Sequence, residues 1–240
     1  MPSLVVGTSG WAYTSWKPEF YPPEVSSKKF LNYYSSQLNG VEVNYTFRHL
    51  LSDKTQQAWI EQTPASFRFA IKAHQRITHF QRLRNADNFL QDFVNTLAPL
   101  ASAKRLGPIL FQLPPQLKCN LELLQGFIAR LPKKLLCAFE LRHESWFVEE
   151  VYEELRSANI ALCWAESEDL ATPQIATADF CYFRLRKPEY SQAQLASIRA
   201  NIEAAINAGR DVFAFFKHEE SPAGALRARE VLSKLARKKE

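Results

Sequence analysis

The sequence has 240 residues, is 46% hydrophobic and carries a net charge of +5. This length and apolar content suit one large hydrophobic core, so we expect a single domain over residues 1–240. No segment reaches the roughly 18 apolar residues of a membrane span, and the start MPSLVVGTSG does not resemble a secretory signal. We therefore expect a soluble, cytoplasmic protein without a membrane partner.

Eight short runs of apolar, β-branched or aromatic residues predict β-strands. In chain order they cover residues 4–6, 41–43, 67–71, 109–113, 136–141, 160–164, 180–185 and 212–216. Apolar residues at helical spacing lie between most of them, at 30–38, 89–97, 123–131, 151–155 and 195–206, and a last helix is predicted over 225–236. Ser52, Asn120 and Ser191 are candidate N-caps, and Gly209 is a candidate C-terminal cap.

Strands that alternate with helices pair in parallel through right-handed crossovers. Eight such units in about 250 residues predict an α/β fold, a TIM-type (β/α)8 barrel with eight parallel strands. An open doubly wound sheet is the alternative. Residues 166–177 contain few periodic apolar positions, so the sixth helix should be short or irregular.

The four cysteines are widely spaced and form no C-x-x-C pair. Three of them, Cys137, Cys163 and Cys181, fall in predicted strands, where packed free thiols are more common than a metal site. We expect four titratable thiols in the unfolded protein, as is usual in a reducing compartment.

Glu42 raises the first functional question, because it lies inside the predicted strand 41–43, between two valines. Val41 and Val43 share one face of that strand, which suits packing on helices, and Glu42 and Asn44 share the other. Glu42 should therefore point into the barrel near the carboxyl end of its strand, where active sites of this fold lie. Lys72 ends the neighbouring strand, so we expect it to pair with Glu42 or to share a ligand with it.

Other predicted strands also end in polar residues. The set consists of Lys72, Gln112, Glu140, Arg142, Arg184, Arg186, Lys217 and His218. Because the carboxyl ends of all the strands meet at one mouth of the barrel, these side chains predict a pocket there.

The predicted pocket has an excess of positive charge. Five cations, counted against Glu42 and Glu140, give a formal charge of +3: Lys72, Arg142, Arg184, Arg186 and Lys217. This charge favours anionic ligands that bear phosphate or carboxylate groups. It also disfavours a divalent metal ion, so we predict no metal site, and nothing in the sequence calls for a cofactor.

Glu42 and Glu140 are the candidate acid and base of a metal-independent hydrolase or isomerase. They lie on opposite sides of the predicted barrel, which suits an inverting glycosidase pair, whose carboxyl groups are about 6.5 to 9.5 Å apart. His143 and His218 follow strand ends and are further candidates for proton transfer.

Aromatic residues near the predicted mouth would support a sugar or a nucleobase as ligand. The candidates are Trp11 and Trp16 after the first strand, Trp146 after the fifth and Trp164 at the end of the sixth. Ser9 lies in the turn Gly7-Thr8-Ser9-Gly10, whose backbone N–H groups would approach a ligand.

Seven segments in chain order resemble the successive motifs of the YecE-like family, also known as domain of unknown function 72. They are GTSGWAYTSW, VEVNYTF, FAIKA with ITHF, GPILFQLPPQ, AFELRHESW, YFRLR and AFFKHEE. The resemblance implies a TIM-type barrel and no established reaction. The sequence departs from the family pattern at Arg48-His49 and Lys217-His218, which implies a subgroup with a more basic pocket.

Two classes of function follow from the sequence. The first is a protein that acts on or binds a small anionic or sugar-like molecule at the mouth of the barrel. The second is a nucleotide- or nucleic-acid-binding protein without catalysis, in which the cations hold phosphates and the aromatic residues stack on bases. The first is favoured, because a modest positive balance is weak evidence for nucleic acid. The sequence leaves the oligomeric state open.

Overall fold

A closed barrel of eight parallel strands forms the centre of the computed structural model, which describes residues 2–85, 87–166, 170, 172–217 and 221–236. The strands follow one another around the barrel in chain order, and the last one pairs with the first. Their bounds are β1 Leu4–Ser9, β2 Gly40–Val43, β3 Arg68–Lys72, β4 Leu106–Gln112, β5 Cys137–Glu140, β6 Ala161–Ala165, β7 Phe180–Leu185 and β8 Asp211–Phe216. The predicted TIM-type barrel is confirmed, and the open sheet is excluded.

Helices cover the outside of the barrel. Their bounds are α1 Phe30–Gln37, α2 Asp53–Gln62, α3 Asp87–Asn95, α4 Ala98–Ser102, α5 Leu121–Ile128, α6 Glu149–Ser157, α7 Gln192–Asn207 and α8 Ala223–Ala236. The predicted caps are confirmed: the side chains of Ser52, Asn120 and Ser191 accept hydrogen bonds from the backbone N–H groups of the first turns of α2, α5 and α7. Gly209 follows α7 with a φ of +80°, which glycine adopts without strain.

Two connections depart from a simple strand–helix alternation. The helical pattern at 89–97 corresponds to α3, and a further short helix, α4, follows it before β4; Pro99 lies in the first turn of α4, where its missing N–H is not needed. Between β6 and β7, the residues that the structure describes contain no helix, in agreement with the weak pattern at 166–177.

Successive side chains of each strand alternate between the helical layer and the barrel interior. In β3, for example, Phe69 and Ile71 belong to the core between strands and helices, whereas Ala70 points into the barrel. The interior is filled by Val5, Ala70, Leu110, Ala138, Ala161, Cys163, Ala165, Phe180, Tyr182, Phe213 and Phe215. This filling closes the barrel to solvent below its carboxyl end.

Buried polar residues replace the apolar filling at the carboxyl ends of the strands. The barrel interior there contains Ser9 of β1, Glu42 of β2, Gln112 of β4, Glu140 of β5 and Arg184 of β7, all at most 5% exposed. Burying charged groups is costly unless they are paired and hydrogen-bonded, so their contacts determine what this layer does.

All four cysteines are free, as the sequence predicted, and Cys137, Cys163 and Cys181 are buried. No helix in the described part of the chain is both long enough and apolar enough to cross a membrane.

Candidate functional site

Glu42 lies in β2 with its carboxylate completely buried inside the barrel. Ser9 donates a hydrogen bond from Oγ to Oε1 at 2.9 Å, and the Tyr182 hydroxyl donates to Oε2 at 2.8 Å. Arg184 donates from Nη2 to Oε1 at 2.6 Å and from Nε to Oε2 at 2.9 Å. The inward orientation that the alternating valines predicted is confirmed, and four donors satisfy the carboxylate.

Arg184 extends from β7 to a second carboxylate, that of Glu140 in β5. Its Nη1 donates to Glu140 Oε2 at 2.5 Å, and Gln112 donates from Nε2 to Oε1 of the same carboxylate at 2.8 Å. Arg186 Nη2 lies 3.2 Å from Oε2, and Arg142 Nε lies 3.8 Å from Oε1. The predicted residues of β2, β5 and β7 thus form one buried charge network.

The protonation states of this network follow from its contacts. Burial raises the pKa of the Glu42 carboxyl, but the charge and hydrogen bonds of Arg184 outweigh burial and hold that pKa below its usual value. Burial lowers the pKa of Arg184, and the two carboxylates more than compensate, so its pKa is raised. Burial and the neighbouring Glu42 raise the pKa of Tyr182. At neutral pH, Glu42 is therefore an anion, Arg184 a cation and Tyr182 a neutral donor.

The predicted direct ion pair between Glu42 and Lys72 is wrong. The register of β2 and β3 places Ala70, not Lys72, beside Glu42, so Lys72 lies two residues further toward the mouth of the barrel. Glu42 binds Arg184 instead. The stagger of neighbouring strands in a closed barrel causes this offset, because residues that end adjacent strands do not lie at one height.

Lys72 has the same inward parity as Ala70, and its ammonium group lies over the aromatic ring of Phe47, 4.1 Å from the ring centroid. Burial lowers the pKa of Lys72 and the Arg184 charge lowers it further, whereas Glu42 and Glu140 raise it; the result is a pKa of about 8. Within the described residues, Nζ has no hydrogen-bond acceptor and no carboxylate within 4.0 Å. Lys72 is thus a half-buried cation with unused donors.

His79, which the sequence placed in a loop as a candidate rim residue, joins this part of the mouth. It lies on a π-helical turn, Arg76–Phe80, and such turns are frequent at functional sites. Its ring packs edge-on against Phe47 at a centroid distance of 4.9 Å. Burial lowers the pKa of His79, as do the charges of Lys72 and Arg142, so the imidazole is largely neutral at pH 7.

Tyr182 is a second residue that sequence reasoning missed. The signal was present, because in the run FCYFRL the tyrosine is two residues before Arg184 and so shares its face of β7. Aromatic residues in a strand are usually core residues, so this pattern alone does not distinguish Tyr182 from the barrel filling.

A cavity of about 70 Å³ adjoins the network on the β5 and β6 side. Its lining includes Glu140, Arg142, Pro115, Ala165 and Thr172. A water molecule occupies about 30 Å³ of liquid, so the cavity has room for a group of carboxylate size.

Two of the tryptophans predicted to line the mouth are fully buried. Trp16 packs against Phe20 and Tyr21 in the outer core. Trp146 donates a hydrogen bond from Nε1 to the Leu117 carbonyl oxygen at 2.7 Å, which anchors the loop after β4. The predicted ligand contact of Trp146 is therefore not compatible with its position.

The other two tryptophans are half-buried and pack on helical or outer-face neighbours. Trp11 packs edge-on against Trp59 of α2 at 5.2 Å. Trp164 packs against Phe183 at 4.7 Å on the outer face of β6, whereas Cys163 and Ala165 face the interior. Trp164 is therefore directed away from the mouth, because its position in β6 has outward parity.

The remaining predicted residues lie in different settings. Asn44 follows β2 on the face of Glu42, and its buried Oδ1 has no hydrogen-bond partner in the described structure. Lys217 is exposed after β8 and is close enough to lower the pKa of Lys72. His218 lies outside the described residues. His143 caps a short turn by accepting the N–H of Ser145 at 3.2 Å.

The network does not have the layout of a glycosidase pair. Such a pair needs free space between its carboxyl groups for the glycosidic bond and, in inverting enzymes, for a water molecule. In this structure the guanidinium of Arg184 lies between Glu42 and Glu140 and binds both. Among the described residues, no group of three or more His, Cys, Asp or Glu side chains could hold a metal ion.

The structure thus defines a TIM-type barrel with a charged site at the carboxyl ends of its strands. The family described as protein of unknown function DUF72 matches this chain over residues 5–240. The chain belongs to the DUF72 family, as the resemblance of its motifs predicted.

Two curated relatives are similar over part of the chain. The UPF0759 protein YunF of Bacillus subtilis (strain 168) is 29% identical over 170 residues, which cover 68% of this chain and 59% of YunF. The UPF0759 protein YecE of Escherichia coli (strain K12) is 29% identical over 152 residues, which cover 63% of this chain and 53% of YecE. The matches thus span between half and three fifths of the length of these relatives.

Solved structures show the same fold. A DUF72 family protein of Thermotoga maritima (TM1631) is similar with a TM-score of 0.86 and 25% identity, covering 98% of this chain and 99% of that protein. A DUF72 family protein of Enterococcus faecalis (EF0366) has a TM-score of 0.80 and 18% identity, covering 98% of both chains. Both proteins are members of the DUF72 family.

Proposed function

We propose that this barrel binds a small anionic molecule, bearing a phosphate or carboxylate group, at the mouth beside Lys72 and acts on it by acid–base chemistry. The observation that carries the proposal is the ammonium group of Lys72, which is half-buried and has no acceptor among the described residues. A half-buried cation is stabilised by an anionic partner, and we assign that role to a bound ligand.

The charge balance supports the same class of ligand. Five cations, Lys72, Arg142, Arg184, Arg186 and Lys217, stand against the two carboxylates of Glu42 and Glu140, which leaves an excess of three positive charges. Of these cations, Arg142, with 35% of its side chain exposed, and Arg186 flank Glu140. Neutral sugars receive less support, because Trp16 and Trp146 are buried and Trp164 packs on the outer face of β6.

The proposal assigns different roles to the two carboxylates. Glu42 is saturated by four donors and is held as an anion, which suits a residue that positions Arg184. Glu140 borders the 70 Å³ cavity, so it is the better candidate to exchange a proton with a ligand. His79, largely neutral at pH 7, is a second candidate for proton transfer.

Thermal unfolding in the presence of inorganic phosphate tests anion binding. A ligand that binds the native state at 100 times its Kd stabilises it by about 2.7 kcal/mol. One charge-assisted hydrogen bond contributes about 1.5 to 3 kcal/mol, so Lys72→Gln should weaken phosphate binding at least tenfold. Lys54→Gln, which removes an exposed lysine of α2, is the matched control and should bind phosphate like the wild type. Equal phosphate stabilisation of both variants would refute the site.

A second candidate function is nucleic-acid binding, which one surface feature favours. The segment 74–85 carries Arg76, Arg82 and Arg84 and no acidic residue, and Phe80 within it is 70% exposed. Exposed aromatic rings beside cations are typical of single-strand binding. Fluorescence anisotropy with a labelled oligonucleotide tests it: binding that weakens steeply with salt and is lost in Phe80→Ala would favour this alternative.

A further inference from the structure

The amine of Lys72 has the surroundings of a nucleophile. Nζ lies 4.1 Å from the centroid of the Phe47 ring, in a half-buried position at the carboxyl end of β3. The charges of Arg184 and Lys217 oppose its protonated form. Glu42 and Glu140 favour that form, but their carboxylates are bound to Arg184 rather than to Lys72. Burial and the two cations together outweigh the two carboxylates, so a larger fraction of the Lys72 amine is neutral than in an exposed lysine.

A proton carrier lies close to this amine. His79 packs on the same Phe47 ring that Lys72 covers, with ring centroids 4.9 Å apart. Thr78 Oγ1 lies 2.8 Å from Nδ1 of His79, which leaves Nε2 for another group. A neutral imidazole can accept a proton from one intermediate and return it to the next.

We propose that Lys72 forms an imine with the aldehyde or ketone group of a small anionic ligand. The inference rests on the proposed function, because the same mouth must first hold the anionic group. The neutral Nζ forms a bond to the carbonyl carbon as the C=O π bond breaks, and one proton passes from the nitrogen to the oxygen to give a neutral carbinolamine. Loss of the remaining N–H proton and departure of the oxygen as water then give the C=N bond. Hydrolysis reverses both steps, and no oxidant or reductant is required.

The acidity of Lys72 agrees with this role. With a pKa of about 8, about 10% of the amine is neutral at pH 7. For an ordinary lysine with a pKa near 10.4, the neutral fraction is only about 0.04%. Activation of a lysine by neighbouring cations and by partial burial is an established way to make such a nucleophile.

Reductive trapping with glyoxylate, a small anionic aldehyde, tests the proposal. The folded protein is incubated at pH 7 with glyoxylate and sodium cyanoborohydride, and carboxymethylated lysines are quantified by peptide mass spectrometry. We expect at least tenfold more adduct at Lys72 than at the exposed Lys54, and at least a fivefold reduction at Lys72 in saturating inorganic phosphate. Equal labelling of Lys72 and Lys54 would overturn the proposal.

Two variants separate imine formation from anion binding. Lys72→Arg keeps a cation at the site but cannot form an imine under these conditions, so phosphate stabilisation should persist while no adduct forms at position 72. His79→Gln should slow labelling of Lys72 at least threefold without abolishing phosphate stabilisation. Phosphate stabilisation of the wild type without preferred labelling of Lys72 would overturn the imine and leave the anion site intact. Preferred labelling without phosphate stabilisation would instead overturn the anion site.

Discussion

Arg184 and Glu42 bind each other through two parallel hydrogen bonds inside the barrel, with Nη2 2.6 Å from Oε1 and Nε 2.9 Å from Oε2. Both side chains are at most 3% exposed, so solvent does not screen the pair. The third side of the guanidinium binds Glu140 at 2.5 Å. Arg184 therefore cross-links side chains of β2, β5 and β7 at the mouth, and its single positive charge is shared by two buried carboxylates.

Replacement of Glu42 by Gln should destabilise the fold strongly. Glu42→Gln removes two charge-assisted hydrogen bonds from Arg184, each worth about 1.5 to 3 kcal/mol, while Glu140 remains as the counter-ion of Arg184. We therefore expect a loss of about 3 kcal/mol, at the lower end of the range for breaking a buried ion pair. Urea unfolding measures this change in the free energy of unfolding. Glu149→Gln breaks the pair with Arg156 on the surface, where the two side chains are 61% and 42% exposed, and should cost less than about 1 kcal/mol. Similar losses in both variants would contradict the structural role of Glu42.

The stabilising effect of Glu42 should also depend on pH. Arg184 holds the pKa of Glu42 in the folded protein below its usual value of 4.5. The contribution is then complete above that usual pKa and is lost as the pH falls through the folded pKa, because the unfolded chain takes up the proton first. The difference in unfolding free energy between the wild type and Glu42→Gln should be largest near pH 7 and should decrease on acidification below pH 4.5. A difference that is constant or grows on acidification would contradict this sign.

The fold was predictable because the strand runs, the helical periodicity and the cap residues all indicate the same alternation of strands and helices. The structure has these alternating units and the caps at Ser52, Asn120 and Ser191. Residue parity was equally informative, since alternation with two valines predicted that Glu42 faces inward. Local sequence patterns of this kind predict the fold correctly where the apolar positions of a strand or helix are also the positions that pack in the core.

Partners across the barrel could not be predicted in the same way. The alternation of residues predicts which face of β2 carries Glu42, but it does not predict which cation binds Glu42. The identity of that cation depends on the stagger of the strands and on the length of the side chains. Arg184 comes from β7 and binds both carboxylates. Lys72 does not bind them, because it lies two residues nearer the mouth than Ala70, which is the residue beside Glu42 in β3. Trp146 shows a second limit, since a tryptophan after a strand can bind a ligand or anchor a loop, and only its contact with Leu117 distinguishes these roles.

Thiol reactivity should differ among the four cysteines. Cys137, Cys163 and Cys181 are buried and Cys119 is partly exposed. Burial raises the pKa of all four thiols, to about 12 for Cys137, which lowers the fraction of reactive thiolate; the three buried thiols are also shielded from the reagent. In the native protein, Ellman's reagent should react with Cys119 faster than with the other three, and all four thiols should react in denaturant. Fast labelling of Cys163 in the native state would contradict the closed barrel interior.

Gly7 should tolerate no side chain, because β1 and β2 approach each other closely at this position. A Cβ at Gly7 would lie 1.8 Å from the carbonyl oxygen of Gly40 and 2.8 Å from the hydroxyl of Tyr34. The first atom belongs to the backbone, so β1 would have to move away from β2 at its register contact Gly7↔Gly40. Gly7→Ala should therefore lower the free energy of unfolding by about 3 kcal/mol or more.

Gly126→Ala provides the matched control for this prediction. A Cβ at Gly126, within α5, would have no atom within 4 Å, and alanine is the better helix former by about 1 kcal/mol. Urea unfolding should thus show changes of opposite sign in the free energy of unfolding, a loss for Gly7→Ala and a small gain for Gly126→Ala.

Gly7→Ala should also reduce stabilisation by phosphate, because Gly7 is two residues before Ser9, which donates a hydrogen bond to Glu42. Normal stability of Gly7→Ala would mean that β1 and β2 are further apart than described.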